Sequence, residues 1–522
     1  MTTPAYLPSG WIASSLQEIS DSMGGSTPDT SDSKYWSDGT VPWVSPKDMK
    51  SFRLRSTIDR VTDSALARLS LVPESSVLVV VRSGILSRTL PVALNMTPVT
   101  LNQDMRAFVP RAGVSSEYLA WHLVASEREI LQQCTKDGTT VASVEGGRLA
   151  SHALAIAPTV EQSRIVDKIE ELFTELDAGV AELQAAQKKL ARYRQSLLKV
   201  AVEGTLTAQW REQHPAAETG HELLARILEE RRARWEAKQL AKFSEQGKAP
   251  PKGWEDKYPS PCEPETDKLP VLPDGWAWAS AEQLCDFITK GTTPPKDLPD
   301  SGHKTVPFLR VTNLTDSGSL DLSDKVFVSE QTHRGFLARS LVYPGDVLMN
   351  IVGPPLGQVS RVPATFPEWN INQAIAIFRP LGGFLPAFMS QVLLSSHAQQ
   401  WLQSRAKTTA GQTNLTLELC RALPVPVPPI SEQSAICELI ESAIESCERI
   451  GETARHGLRQ AAAQRQNILR AAFSGQLVPQ DPADEPASAL LARIRAERAG
   501  RAAKPKAIKA AKPRKTATRK AS

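Results

Sequence analysis

The side chains of this chain whose types and spacing could do chemistry are amides and cations rather than catalytic sets. Asn102-Gln103 and Asn372-Gln373 each place two carboxamides side by side. Amides and guanidiniums pair bidentately with adenine or guanine edges, whereas Lys, Ser and Thr hold phosphates. The motifs of enzymatic alternatives are missing: no Walker loop, no GxGxxG after a strand, no HExxH, and no Asn-Pro-Pro or Asp-Pro-Pro followed by an aromatic residue. Gly353-Pro354-Pro355-Leu356-Gly357 is glycine-poor for a phosphate cradle, and its prolines remove amide donors, so it reads as a structural turn. Six cysteines (Cys134, Cys262, Cys285, Cys420, Cys437, Cys447) form no CxxC pair, which points to reduced, buried thiols. His152 and His397 stand singly, and structural roles are their default.

Whatever these residues do, the elements that hold them occur twice. Glu161-Gln162-Ser163 followed by Ile165 returns as Glu432-Gln433-Ser434 followed by Ile436, an offset of 271. The register continues without a gap through Arg194-Gln195, Leu198, Ala201, Gly204 and Gln209, matched by Arg465-Gln466, Leu469, Ala472, Gly475 and Gln480. A duplicated chain carries approximate two-fold symmetry in one polypeptide, and duplex DNA is the obvious two-fold object for it to match.

Residues 160–202 contain no proline, and Ile169, Leu176, Leu183, Leu190 and Leu197 recur every seven residues. Ile165, Leu172, Gly179, Ala186, Tyr193 and Val200 form the second line of this stripe, a coiled-coil pattern over five heptads. The second copy keeps the period with smaller side chains: Ile440, Cys447, Ala454, Ala461 and Ile468, flanked by Ile436, Ala443, Ile450, Gly457, Gln464 and Ala471. A leucine-rich ridge against an alanine-rich one fills space better than either ridge against itself, so the two helices are expected to pair within the chain. Because a whole domain lies between them, antiparallel pairing is the simpler closure. The alternative is two independent helices packed on separate cores. Gly204 is expected to close the first helix in a left-handed conformation.

The segments before each helix correspond more loosely. Leu7-Pro8-Ser9-Gly10-Trp11 matches Leu272-Pro273-Asp274-Gly275-Trp276 at an offset of 265. Gly25-Ser26-Thr27-Pro28 matches Gly291-Thr292-Thr293-Pro294, and Val41-Pro42-Trp43-Val44 matches Val306-Pro307-Phe308-Leu309. Apolar runs such as Ser76–Val81 and Ala374–Phe378 read as strands, and amphipathic helices are expected near 116–131 and 384–402. The fold class expected is α+β: two mixed domains joined by two long helices forming an antiparallel coiled coil, with an internal pseudo-two-fold repeat. The expected boundaries are 1–159, first domain; 160–208, first long helix; 209–270, charged helix and Pro-rich linker; 271–430, second domain; 431–478, second long helix; 479–497, a short helix repeating Leu223-Leu224-Ala225-Arg226-Ile227 as Leu490-Leu491-Ala492-Arg493-Ile494; and 498–522, a disordered basic tail.

Charge needs splitting by region. Ten of the 61 Lys and Arg lie from Arg498 onward, where there is no Asp or Glu, so the body is net acidic against its 57 carboxylates. Nucleic-acid binding by the body must therefore use local basic patches rather than a global field. At 41% hydrophobic and 23% charged residues, the composition is that of a soluble globular protein. No signal peptide and no run of 18 apolar residues is visible, so a cytoplasmic protein with no membrane partner is expected.

The Pro-Ser-Gly-Trp and Pro-Asp-Gly-Trp openings, the Gly-Ser-Thr-Pro and Gly-Thr-Thr-Pro turns, the Asn-Gln pairs and the helix starts Pro158-Thr159-Val160-Glu161-Gln162 and Pro429-Ile430-Ser431-Glu432-Gln433 resemble the specificity (S) subunit of type I restriction-modification systems. The similarity runs over nearly the whole chain in duplicate. It departs where Ala157-Pro158 replaces the Pro428-Pro429 of the second copy, and where Asp104 becomes Ala374. The resemblance implies two target-recognition domains, each reading half of a split sequence in double-stranded DNA, with paired helices fixing the gap. It implies two methyltransferase subunits and two motor-nuclease subunits as partners. S-adenosylmethionine, ATP and Mg belong to those subunits, and this chain would hold no cofactor, metal or catalytic residue of its own.

Within that role the candidate DNA contacts are Lys34, Arg82, Ser83, Gln103, Lys136 and Thr139 in the first domain. In the second they are Lys290, Arg310, Asn313, Asn350, Gln373, Lys407, Thr408 and Gln412. Asn102 and Asn372 recur in both frames, which fits a structural turn equally well. Two rival functions are a noncatalytic coiled-coil scaffold or adaptor, and a specificity module serving another restriction class.

Overall fold

A computed structural model describes residues 7–136, 141–295, 302–315, 318–409 and 412–503. The chain divides into two units of discontinuous sequence: one from residues 1–183 with 455–522, the other from 184–454. Each unit is built from one mixed domain, one half of each long helix and the segment that follows a long helix.

In the first domain a five-stranded sheet runs in the order Ser20–Gly24, Met105–Pro110, Val77–Val80, Val92–Asn95, Arg53–Leu54. Beside it lies a three-stranded sheet of Asp59–Val61, Val41–Val44 and Thr100–Leu101. Val77–Val80 is apolar at every position and buried at every position, because helix Ser116–Ala125 packs over its sheet. The second domain keeps this plan with four strands, Cys285–Lys290, Ile375–Pro380, Val347–Asn350 and Val359–Arg361, and three more, Val326–Ser329, Lys304–Leu309 and Asn370–Ile371. The single amphipathic helix expected in each domain is instead two. Ser126 separates Ser116–Ala125 from Glu127–Cys134. Ser395, in extended conformation, separates Pro386–Leu394 from Ser396–Arg405, and its hydroxyl caps the second piece by accepting from Ala398 N. A serine that can bond the backbone competes with helix continuation, which helical periodicity alone does not register.

The long helices are Thr159–Val202 and Ile430–Phe473, 44 residues each. In the first unit they run antiparallel: Asp177 Oδ1 accepts from Arg465 at 2.5 Å, and Leu183 lies against Gly457, so one number rises as the other falls. A side chain on Gly457 would meet the Leu183 tip at 2.9 Å, so the leucine fills the space a glycine leaves. In the second unit Leu197, Leu198 and Ala201 share one core with Ile436, Cys437 and Ile440. The expected seam residues Ile169, Leu176, Leu183, Leu190 and Leu197 are all buried or half-buried, as are Ile440, Cys447, Ala454, Ala461 and Ile468. The second apolar line is covered unevenly: Ala186 and Gly457 are half-buried, whereas Gly179, Tyr193, Ile450 and Gln464 are exposed. A helix of 3.6 residues per turn drifts about 20° per heptad against a 3.5 repeat, so a two-helix seam does not keep both lines covered.

Repeated motifs explain how each domain is fixed to its helices. Glu161, buried, accepts from the Trp11 indole at 3.0 Å, and Glu432, buried, accepts from Trp276 at 2.9 Å. Gln162 accepts from Ser115 N and donates to Ala157 O; Gln433 accepts from Leu385 N and donates to Pro428 O. A fully buried amide that bonds at both ends ties two loops to the first helical turn. At the other end of each helix Gly204 (φ +74°) lies under Pro273 and Gly475 (φ +71°) under Pro8, and a β-carbon would sit 2.5 Å and 2.2 Å from those rings. The Leu-Leu-Ala-Arg-Ile helices, Gly220–Glu245 and Ala487–Ala503, then dock back on the domain of their own unit. Gly220 N donates to Gly275 O and Ala487 N to Gly10 O. The second of these helices extends six residues beyond the 497 boundary expected from sequence; residues 504–522 of the basic tail lie outside the described residues.

Candidate nucleic-acid interface

In the first domain the chemistry-bearing motifs converge at one end of the central sheet. Strand Ser20–Gly24 ends in the Gly25-Ser26-Thr27-Pro28 turn, which lies directly on the Asn102-Gln103-Asp104 turn. A β-carbon on Gly25 would stand 2.0 Å from Asn102 O and 2.4 Å from Leu101 O, so only glycine fits. Ser26 N donates to Leu101 O at 2.9 Å, and the Thr27 hydroxyl donates to the Gln103 side chain. Asn102 is buried; its Oδ1 accepts from Asp104 N and its own N–H donates to Val44 O. Arg82, at the end of Val77–Val80, lies with its Nε 3.2 Å from Asp104 Oδ1 and stays 60% exposed. Ser83 caps the 84–87 turn, and Ser83 N donates to Ala142 O, which brings the Thr135–Lys136 and Ser143–Val144 hairpin alongside. Lys136 reaches Glu145 at 3.5 Å. Lys34 sits in the loop after the glycine turn, paired with Asp32 at 2.7 Å and 4.6 Å over the Tyr35 ring. Thr139 lies outside the described residues.

The second domain rebuilds the same corner with different groups. A β-carbon on Gly291 would meet Ile371 O at 2.2 Å and Asn372 O at 2.3 Å. Gln373 N donates to Thr293 Oγ1, and Asn372 Oδ1 accepts from Ala374 N. Lys290 is exposed at the end of its strand, and Gln373 is exposed on the turn. The hairpin Lys407–Thr409 with Gln412–Asn414 takes the place of 135–144: Gly353 N donates to Thr413 O, and Val352 bridges to Asn414. Lys407 and Thr408 are exposed there, with Thr408 3.3 Å from the Thr413 hydroxyl. Gln412 pairs in register with Thr409; its side chain is outside the described part.

Three sequence candidates have other duties. Asn313 is buried: its Oδ1 accepts from Arg310 N at 2.8 Å, and its Nδ2 donates to Asp321 O and Asp324 O. Asn350 is buried as well, donating to Pro355 O and accepting from Val352 N, which makes it the brace of the Gly353–Gly357 turn. Neither amide has a free edge to offer a base, so both are corrected from candidate readers to turn braces. Arg310 is partly exposed and held by Asp324 at 2.5 Å. Sequence reasoning passed over Thr27 and Thr293, which connect the two turns. Their signal was the repeat itself, since both stand at the third position of the glycine turn. Arg82 with Asp104 is particular to the first copy, because Ala374 brings no carboxylate to the equivalent place. Each corner thus combines a rigid glycine-to-amide junction with side chains that differ between copies. Such a corner suits direct contacts to base edges flanked by phosphate contacts.

None of the six cysteines is paired, and burial pushes the Cys437 thiol up to about 11 and Cys420 up to about 12, so neither acts as a nucleophile near neutral pH. Among the described residues no helix is long and apolar enough to cross a membrane.

Residues 8–184 match the family described as Type I restriction modification DNA specificity domain. The chain is 37% identical over 189 residues to the type I restriction enzyme EcoR124I/EcoR124II specificity subunit of Escherichia coli, covering 35% of this chain and 46% of that protein. It therefore spans about half the length of that relative. It is 24% identical over 397 residues to the EcoDI specificity subunit of Escherichia coli, covering 74% of this chain and 77% of that one. Against the StySPI specificity subunit of Salmonella potsdam it is 20% identical over 94% of this chain and 96% of that one. Among solved structures, a chain described under the complex assembly and conformational transition of the type I R-M system superposes with a TM-score of 0.60 at 16% identity, over 91% of this chain and all of that one. The fold of two mixed domains on paired long helices is therefore shared with a solved type I system. Motifs, duplication and fold agree with these likenesses: the first domain matches the type I restriction modification DNA specificity domain, and the chain is similar over most of its length to type I specificity subunits.

Proposed function

We propose that this chain is the noncatalytic, cytoplasmic DNA-reading subunit of a type I restriction-modification complex. Each domain reads one half of a split duplex sequence, and the paired helices set the separation of the halves. Two methyltransferase subunits supply S-adenosylmethionine chemistry on adenine, and two motor-nuclease subunits supply ATP- and Mg-dependent translocation and cleavage. The observation that carries this reading is the duplicated corner. The same glycine turn lies on the same Asn-Gln turn in both domains, while the exposed groups around it differ: Arg82, Gln103 and Lys136 against Lys290, Gln373, Lys407 and Thr408. A shared frame with unlike side chains is what two readers of unlike half-sites require.

The test is binding of the full chain, purified with methyltransferase subunits, to a pool of random duplexes, followed by sequencing of the bound fraction. A two-part motif separated by an unread gap is expected. Replacing the first domain with that of a relative should change one half of the motif only. Equal affinity for all sequences with one common salt slope would leave a scaffold or adaptor as the function.

A further inference from the structure

One loop of the first domain carries a charge that its duplicate in the second does not. Val44 runs into the segment 45–58, and Asn102 N donates to Val44 O at 2.9 Å, so the segment leaves the sheet beside the Asn-Gln turn. Asp48 closes it. Its Oδ2 accepts from Ser45 N at 2.8 Å and Ser45 Oγ at 2.9 Å, and its Oδ1 accepts from Ile58 N at 2.7 Å. The equivalent brace, at the same offset of 265, is Asn313 accepting from Arg310 N. The two loops are thus built alike, and differences in what they display are differences in task.

Residues 47–58 contain Lys47, Lys50, Arg53 and Arg55 with Asp48 as the only acid; the matching 312–323 contain Asp316 and Asp321 and no cation. Asp48 is buried, and both its carboxylate oxygens accept from the loop's own donors. Arg53 is held by Glu170 at 2.6 Å. Lys47, Lys50 and Arg55 are exposed and have no carboxylate at ion-pair distance among the described residues, and with Ser56 they line a concavity of about 380 Å³. Three like charges around one closed, braced loop in a net acidic body repel one another. They gain energy when an extended polyanion passes over them and releases its counterions.

We propose that the 47–57 loop cradles DNA backbone phosphates beside the first half-site and has no counterpart in the second domain, so that the two half-sites are gripped with unequal electrostatic strength. The proposal rests on the DNA-reading assignment above. It concerns affinity and not base choice, because a lysine or arginine on a phosphate carries no sequence information.

The test compares Lys47→Gln/Lys50→Gln/Arg55→Gln with a variant losing the same charge elsewhere, Arg232→Gln/Arg234→Gln/Lys242→Gln on the exposed face of helix Gly220–Glu245. Binding of the cognate duplex to the full chain with its methyltransferase subunits is measured from about 50 to 300 mM salt. Each phosphate no longer neutralised lowers the slope of log affinity against log salt by about 0.9, so the slope of the loop variant should fall by about two to three. The control variant should keep the native slope, and both should keep the native target sequence. Should the triple variant fold poorly by circular dichroism, single substitutions should each remove about one. A native slope in the loop variant, or an equal decrease in the control, overturns the proposal. So does release of the methyltransferase subunits with DNA affinity intact, which would make the loop a protein contact. If the native chain itself fails to prefer a split sequence, it is the DNA-reading assignment that falls.

Discussion

At His122 the ring is buried in the first domain, its Nε2 accepting from Ala155 N–H at 3.1 Å and its face 4.3 Å from the Phe473 ring. Burial drives its pKa down to about 3, so the folded state holds the neutral imidazole. The sign follows directly. A folded value below the free value of about 6.5 means that stability is fully present above pH 6.5 and is lost as pH falls from there, by up to about 1.4 kcal/mol per pH unit. His152, also lowered by burial, adds in the same direction. His122→Gln keeps an acceptor for Ala155 N–H and cannot titrate, so most of the acid-induced drop in the melting temperature of the first domain between pH 6.5 and 4.5 should vanish. A variant as acid-sensitive as the native chain would show that His122 is not the cause. Residue chemistry was legible in the sequence, but residue accessibility was not. Gln103 and Gln373 stand at the turn their repetition marked, whereas Asn313 and Asn350 have the same type of side chain turned inward to brace loops. An amide that caps a turn and an amide that reads a base look identical in a single sequence.

The elements most legible in the sequence were the long helices, because heptad periodicity over 44 residues is a cooperative signal that no single substitution hides. Their seam, their glycine ends and their antiparallel sense agree with the pattern. Hidden from it was what Glu-Gln at each helix start is for, since the partners, Trp11 and Trp276, stand 150 and 156 residues away. The two ties also differ in a way repetition concealed. Glu432 accepts from Trp276 and Thr207, and its carboxylate lies 2.8 Å from Arg211 Nη2. Glu161 has the Trp11 indole on one oxygen, its Oε1 has no hydrogen-bond partner among the described residues, and burial raises its pKa. Glu432→Gln breaks a buried ion pair and should destabilise the second unit by about 2–3 kcal/mol. Glu161→Gln removes a poorly compensated buried carboxyl and should cost far less, or stabilise. Amide exchange in strands Ile12–Ser15 and Ala277–Ser280 reports each unit separately; equal loss of protection in the two variants would refute the asymmetry.

For the whole molecule, duplication replaces a dimer. Each unit is completed by pieces distant in sequence: the first by residues 455–503 and the second by the end of the first long helix. No domain is therefore finished until both helices have formed, so helix length becomes a property of the molecule rather than of one domain. Lengthening one helix alone should break the pairing, because the seam residues would no longer face their partners. Lengthening both by one heptad keeps the phase of the stripe, adds about 10.5 Å of helix and corresponds to about 3 base pairs at 3.4 Å each. On the proposed DNA-reading role, such a double insertion near Gln184 and Ala454, where the units divide, should leave both half-site sequences unchanged and widen the unread gap between methylated adenines by about 3 base pairs. The added turn of duplex, about a quarter to a third of a full turn, also rotates one half-site around the DNA axis. Affinity should consequently fall even where the wider gap is chosen. Sequencing of methylated sites in cells carrying the double insertion reads the gap directly. A gap of native length in that strain would mean that the helices hold the domains without measuring the distance between half-sites.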